Sequence, residues 1–277
     1  MKLLGEVSMT AQPFIPFLTW LTNSVFVAAI VMGLMLWATR KATRKLTPIP
    51  SGFQNFFELT VEFLYGQVEG IVGKKVAPRA FPLLATIFLF IVVSNWFGLL
   101  PGVGTVGFGE LKGPLTLDPS SHHFVPLLRP ATADLNMTLA IAAVFMILWV
   151  WLTVTEIGVI GFIKHTFAPK GGLTGLMGAV LVPIFLFVGI IELISIAFRP
   201  VSLSLRLFGN VYAGETLLHT MSSMLDGLPP VFAFIGSVLL PLPFFFLEIL
   251  VGILQATVFA LLCAVYIQLS TSHDEEH

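Results

Sequence analysis

The residues with the most chemistry to offer are polar and ionisable groups embedded in long apolar runs. Glu192, Ser195, Arg199, Ser202, Arg206, Asn210, Glu215 and His219 lie in one run, from about 173 to 225. Glu248 and Gln255 lie in a second, from about 231 to 270. A guanidinium stays protonated at any accessible pH, so Arg206 is a permanent cation. Carboxylates in partly buried sites titrate nearer neutrality than in water, which suits proton relay. An ionisable residue inside a membrane is costly, so each of these is a functional candidate by default.

Spacing sharpens the pattern. At about 100° per helical residue, with Glu192 at zero, Ser195, Arg199, Ser202, Arg206 and Asn210 fall at about −60°, −20°, −80°, −40° and 0°. Small Ala213 and Gly214 extend that side, whereas Glu215 and His219 fall near about 140° and 180°, on the opposite face. Glu192 lies about 21 Å from Arg206 along the axis, and Glu215 lies about 13 Å away on the other face. The helix therefore supplies no counter-ion for Arg206, and an unpaired buried charge is severely costly. Its partner is a carboxylate on another helix or another protein, or it faces water. Glu248 and Gln255, seven residues apart, share one face of the last element, and Gly252 between them permits close helix contact. Plainer readings stand beside these. Ser195, Ser202 and Gln255 could serve as interhelical hydrogen-bonding groups, and Arg199 either snorkels or borders an aqueous pocket.

These residues need a membrane scaffold to position them, and composition supplies one. Of 277 residues, 56% are hydrophobic and 10% charged, too few charges to clothe a soluble surface. The net charge of −1 offers no basis for nucleic-acid binding. A single cysteine, Cys263, excludes an intrachain disulfide. Apolar spans are expected at about 14–38, 81–100 and 135–160, followed by two over-long elements, about 173–225 and 231–270. The first is read as a retained anchor, since no small-residue cleavage site follows it. Residues 53–73 carry Glu58, Glu62 and Glu69 among phenylalanines. They read as an amphipathic helix on the membrane surface, or else as one packed between other helices. The fourth element, read as one helix, would extend near 80 Å, against an apolar layer of about 30 Å. Either it is two spans turning at Arg199-Pro200, or one steeply tilted helix kinked there. The polar residues keep helical phase across Pro200, which favours the tilted helix. The expected fold is thus all-α, a single membrane domain over residues 1–277. It has about five transmembrane helices and one surface helix, and its last two helices form a long tilted hairpin. Basic residues at 40–45, 74–79 and 164–170 share one side, so the positive-inside rule puts the N-terminus outside and the C-terminus in the cytoplasm. Glu192 then lies toward the cytoplasm, and Glu215, His219 and Glu248 lie toward the outside. Arg206 falls between them, the layout of two half-channels separated by a fixed cation.

Two rival classes are weaker. A secondary transporter built from repeated halves would show an internal repeat, and none is found. An intramembrane protease would need a nucleophile–base pair or a metal cluster, and Glu215 with His219 is too little. There is no P-loop, HExxH motif or nucleophile elbow, and no cofactor or metal is expected. His122-His123 reads as a loop feature.

The segment RPVSLSLRLFGNVYAGE (Arg199 to Glu215) resembles the signature of the ATP synthase subunit a family. PATADLNMTLA (130–140), SGFQNFFELTVEFLY (51–65) and LEILVGILQATVFALLCAVYI (247–267) are similar to its third-span entry, surface helix and last helix. The likeness covers about residues 20–272. It implies a non-catalytic, proton-translocating stator in the cell inner membrane. The implied partners are a c-subunit ring, b-type peripheral stalk subunits and the remainder of the F1Fo complex. By motif, the family's essential arginine is Arg206, with Asn210 and Gln255 beside the ring-facing region. Glu192 matches the cytoplasmic-side glutamate, and Glu215 and Glu248 match the outer pair. Asp134 and Asn136 match the outer entrance. The family often pairs Glu with His at the outer positions. Both are Glu here, and His219 stands where it could supply the missing imidazole. Glu215 and Glu248 are expected to approach one another.

Overall fold

The computed structural model describes residues 13–15, 18–44, 47–100, 103, 107–108, 115–116, 125–126, 128–167, 176–224 and 229–271. Among them are seven α-helices: α1 (Asn23–Thr43), α2 (Phe53–Val72), α3 (Ala77–Gly98), α4 (Leu135–Phe167), α5 (Leu176–Ser223), α6 (Pro230–Leu239) and α7 (Leu242–Thr271). Short antiparallel pairs accompany them. β1 (Pro13–Ile15) pairs with β2 (Leu18–Thr22), and β3 (Gly107–Phe108) pairs with β4 (Leu115–Thr116) and β5 (Val125–Pro126). Five helical segments are long and apolar enough to cross a membrane: 23–43, 77–98, 135–163, 183–222 and 235–271. The architecture is an all-α membrane fold. His122, His123, Lys45, Lys170, Asp226 and the tail His273 to His277 lie outside the described residues, as do the side chains of Lys164 and His165.

Helix ends follow local chemistry. Hydropathy alone starts the first helix near residue 14, yet it begins at Asn23. Pro13 and Pro16 lack amide donors, and Thr22 Oγ1 accepts the Val25 N–H at 3.3 Å, a side-chain cap that fixes the start. α2 buries Leu64, Val68 and Val72 and leaves Phe53, Phe56 and Phe63 exposed. It packs on α1, α3 and α7 and leaves its other face exposed, so it carries features of both the surface and the packed reading. α4 runs to Phe167 with Gly158 at φ +76°, a left-handed residue that interrupts it near the expected end.

The two over-long elements behave differently. α5 is one helix of 48 residues, continuous through Pro183 and Pro200. At 1.5 Å per residue it spans about 72 Å, so it fits an apolar layer of about 30 Å only when steeply inclined. The two-span alternative is not the one formed. The last apolar stretch, expected as a single element over 231–270, is instead divided between α6 and α7. Pro241 has no N–H to continue the α6 ladder, which ends with Leu240 N–H donating to the Gly236 carbonyl at 3.0 Å. α7 begins afresh at Leu242.

α7 is the hub. It packs against α2, α3, α4 and α5, and its Ala256, Phe259, Cys263, Ala264 and Ile267 join Leu84, Ile87 and Ile91 of α3 and Phe145, Trp149 and Leu152 of α4 in one apolar core. Gly252 allows the closest approach. A Cβ there would lie 3.2 Å from Asn95 Cβ of α3, so the close contact expected at this glycine is made with α3. α5 contributes Leu203 and Leu207 to the core, with Ile196 and Val211 packed at its edge, and lies mainly against α4. Apart from Leu203, Ser204 and Leu207, most of the described surface of α5 is exposed.

Candidate functional site

The site is built along the seam between α5 and α7. Three contacts join them in antiparallel order. The Arg199 guanidinium lies 4.6 Å from the centre of the Tyr266 ring. Asn210 Nδ2 donates to Gln255 Oε1 at 2.7 Å. The Glu248 carboxylate sits directly over Gly214, where any Cβ would collide with it. Positions thus advance on α5 as they recede on α7, and the polar residues of the two helices face one another at each level. Gln255 is buried, and its Nε2 has no hydrogen-bond partner among the described residues.

The other members of the in-phase stripe face away from the protein. Ser195, Ser202 and Arg206 are exposed, and no ion pair among the described residues includes Arg206. The structure therefore divides a stripe that looks single in projection. Arg199 and Asn210 turn toward α7, and Arg206 and the two serines turn outward. Glu192, two turns before Arg199, is half-buried and close enough to feel its charge.

A second carboxylate group lies at the far end of α5. Glu215 is half-buried, and its Oε2 has no hydrogen-bond partner among the described residues. The charges that reach it come from Arg129 and His219. Arg129 is buried beside a 3-10 turn at Ala131–Ala133, with Nη2 donating to the Ala133 carbonyl at 3.1 Å. That turn packs against α1, α3, α4 and α5. Glu248 rests on Gly214, the residue next to Glu215. Asp134 is buried and accepts the Asn136 N–H through Oδ1 at 3.1 Å, so its immediate role is to cap α4. Asn136 and His219 are exposed. Along α5 the order is Glu192 with Arg199, then Arg206, then Glu215 with Glu248 from the facing helix.

Three further polar centres lie outside the stripe that the sequence pattern marks. Arg129 adjoins a loop, so no apolar run frames it, and its only signal in the sequence is a cation immediately before Pro130 and the Asp134 cap. Asn95 lies inside an apolar span, where a polar residue needs a partner. Its Nδ2 donates to the Gly252 carbonyl at 3.4 Å, and its Oδ1 accepts from Thr132 Oγ1 at 2.7 Å, tying α3 to α7 and to the turn. Glu156 is an acid in the third span. It pairs with Lys75 at 2.7 Å and Arg79 at 2.5 Å, and the basic residues 74–79 were the available clue.

Comparison with known proteins places this arrangement in context. Residues 21–268 match the model of the family described as "ATP synthase A chain". The chain is 30% identical to an ATP synthase subunit a of Gloeobacter violaceus over 99% of its own length and 89% of that protein. Identity to an ATP synthase subunit a of Moorella thermoacetica is 34%, over 86% of this chain and 85% of the other. For one of Mycobacterium ulcerans it is 32%, over 92% and 87%.

Proposed function

The chain belongs to the ATP synthase A chain family, and on that premise we propose that it is the stator subunit a of a rotary F-type ATP synthase. In this reading it provides two offset half-channels for protons, separated by Arg206. The observation that carries the reading is the placement of Arg206. It is a permanent cation, exposed and without an ion-pair partner among the described residues, on a membrane-length helix most of whose surface is exposed. A partner bearing a carboxylate would complete it.

The mechanism follows from charge and order along α5. A proton enters from outside past Asp134, Glu215 and Glu248 and neutralises a carboxylate on one subunit of the c-ring. Neutral, that carboxyl can rotate into lipid, because the Born cost of burying a charge is gone. After nearly a full turn it reaches the second half-channel near Glu192 and Ser202 and releases its proton. Arg206 then attracts the recharged carboxylate, and its fixed charge repels a proton passing straight between the half-channels. Asn210 and Gln255 brace the α5–α7 seam beside this point, and the orphan Gln255 Nε2 is available to a group on the ring. His219, near Glu215, takes part in proton entry. The ATP chemistry resides in the soluble head of the complex, and b-type stalk subunits hold this chain against it. The protein lies in the cell inner membrane with its N-terminus outside and its C-terminus in the cytoplasm. Cysteine labelling from each side tests the orientation, and outside access to residue 274 would refute it.

The decisive variant is Arg206→Ala in the assembled complex. Coupled ATP synthesis in membrane vesicles is expected to vanish, while passive proton flux persists or rises. Near-normal coupled synthesis would overturn the reading.

A further inference from the structure

Arg199 and Arg206 lie a heptad apart and nearly in phase, yet only Arg206 is exposed. What holds Arg199 is visible. Its guanidinium lies 5.5 Å from the centre of the Trp149 ring on α4 and 4.6 Å from that of Tyr266 on α7. The rings belong to different helices and are themselves braced, since Trp149 Nε1 donates to the Tyr266 carbonyl at 2.9 Å. One turn further along both helices, Thr153 Oγ1 donates to Ser270 Oγ at 3.1 Å. No ion pair between Glu192 and Arg199 is present among the described residues. The aromatic faces therefore hold the cation.

This clamp sits where α5 most needs one. Pro200 cannot donate to the Ile196 carbonyl, so the helix is loosened beside Arg199. α5 packs on α4 and buries Leu203, Ser204 and Leu207, but most of its remaining surface is exposed, so its rotation about its own axis depends on the few side chains that reach α7. A roll of about 40° equals the offset between Arg206 and Asn210 in projection, so it would turn Arg206 into the α7 seam. Cation–π contacts to a Trp and a Tyr are each of a size that biases an equilibrium roughly two- to thirtyfold.

We propose that Arg199 is a positioning residue: gripped between Trp149 and Tyr266, it pins the rotation of α5 so that Arg206 faces outward, where a partner can meet it. The pin also withdraws the Arg199 charge from the outward face, so that Arg206 presents the cation there. The consequence for coupling rests on the stator reading, whereas the clamp rests on the ring geometry alone.

Two measurements on the assembled complex separate these. The first is coupled ATP synthesis, per assembled complex, for Arg199→Lys, Arg199→Met, Tyr266→Phe and Tyr266→Leu. The second is the yield of a short thiol cross-link between Asn210→Cys and Gln255→Cys, in a Cys263→Ala background, with each of those changes. Variants that keep a cation and a ring, Arg199→Lys and Tyr266→Phe, are expected to stay within about threefold of the parent in both assays. Arg199→Met and Tyr266→Leu are expected to fall about tenfold or more in synthesis and to lower the cross-link yield. Their double variant is expected to be no worse than the poorer single one, because each removes the same contact. A filled-volume role alone would make Arg199→Met as good as Arg199→Lys, and that result overturns the proposal, as does an additive double variant. Should Arg206→Ala retain coupled synthesis, the stator reading falls, while the cross-link series still decides the clamp.

Discussion

The two faces of α5 teach different lessons. One is packed: Arg199 against Tyr266, Asn210 against Gln255 and Gly214 beneath Glu248 form a ladder with α7. The other is open: Ser195, Ser202 and Arg206 are exposed. On the packed face Arg199 and Asn210 are each answered by a side chain of α7. Arg206, on the open face, has no ion-pair partner among the described residues, which fits the proposed role completed by a carboxylate on a partner. A charged residue within a membrane helix is therefore not one kind of thing. Its meaning depends on whether its own protein answers it.

Substitutions on the two faces should separate accordingly. The largest effect is expected from Arg206→Lys on the open face, with coupled synthesis lost nearly as fully as with alanine. A compact ammonium lacks the planar fork that meets a carboxylate, and unlike guanidinium it can lose its proton when buried. Synthesis above about half of the parent rate would show that any cation suffices. Next comes Gly214→Val on the packed face. The new side chain must displace the Glu248 carboxylate and part the seam, which overpacking penalises by about 1–3 kcal/mol. A loss of about tenfold or more in proton pumping is expected, with lowered thermal stability of the complex. Unchanged pumping and stability would mean that the seam is not tight at Gly214. The smallest effect is expected from Ser195→Ala on the open face, within about 0.5 kcal/mol in stability and near-normal in synthesis, as for surface changes away from special features. A severe loss there would show that the open face works through more than its arginine.

Much was legible in the sequence for a simple reason. A membrane leaves few options for backbone hydrogen bonding, so apolar length translates directly into helices. The five spans, the amphipathic helix at 53–73 and the unusual length of the fourth element could all be read this way. The helical phase of the polar residues across Pro200 pointed to one continuous helix, as found. Element ends were less legible, because they turn on single groups. The Thr22 cap, the missing amide of Pro241 and the positive φ of Gly158 shift boundaries that a hydropathy average blurs.

The amino-acid sequence by itself determined the membrane fold, the family and the set of charged and polar residues on α5 and α7. These depend on composition, period and motif, which are local properties of the chain. Which of those residues meet was decided only by the tertiary structure. Arg199 and Arg206 differ by about 20° in helical projection, too little to assign them different surroundings. Trp149 and Tyr266 come from two other helices, and only their packing at the level of Arg199 turns that side chain inward. The same holds for Arg129. It stands more than eighty residues before Glu215, yet it is buried at a turn that packs against α5 and brings its charge to that carboxylate. Contacts between residues far apart in the chain depend on the register and crossing of whole helices, which no local pattern encodes.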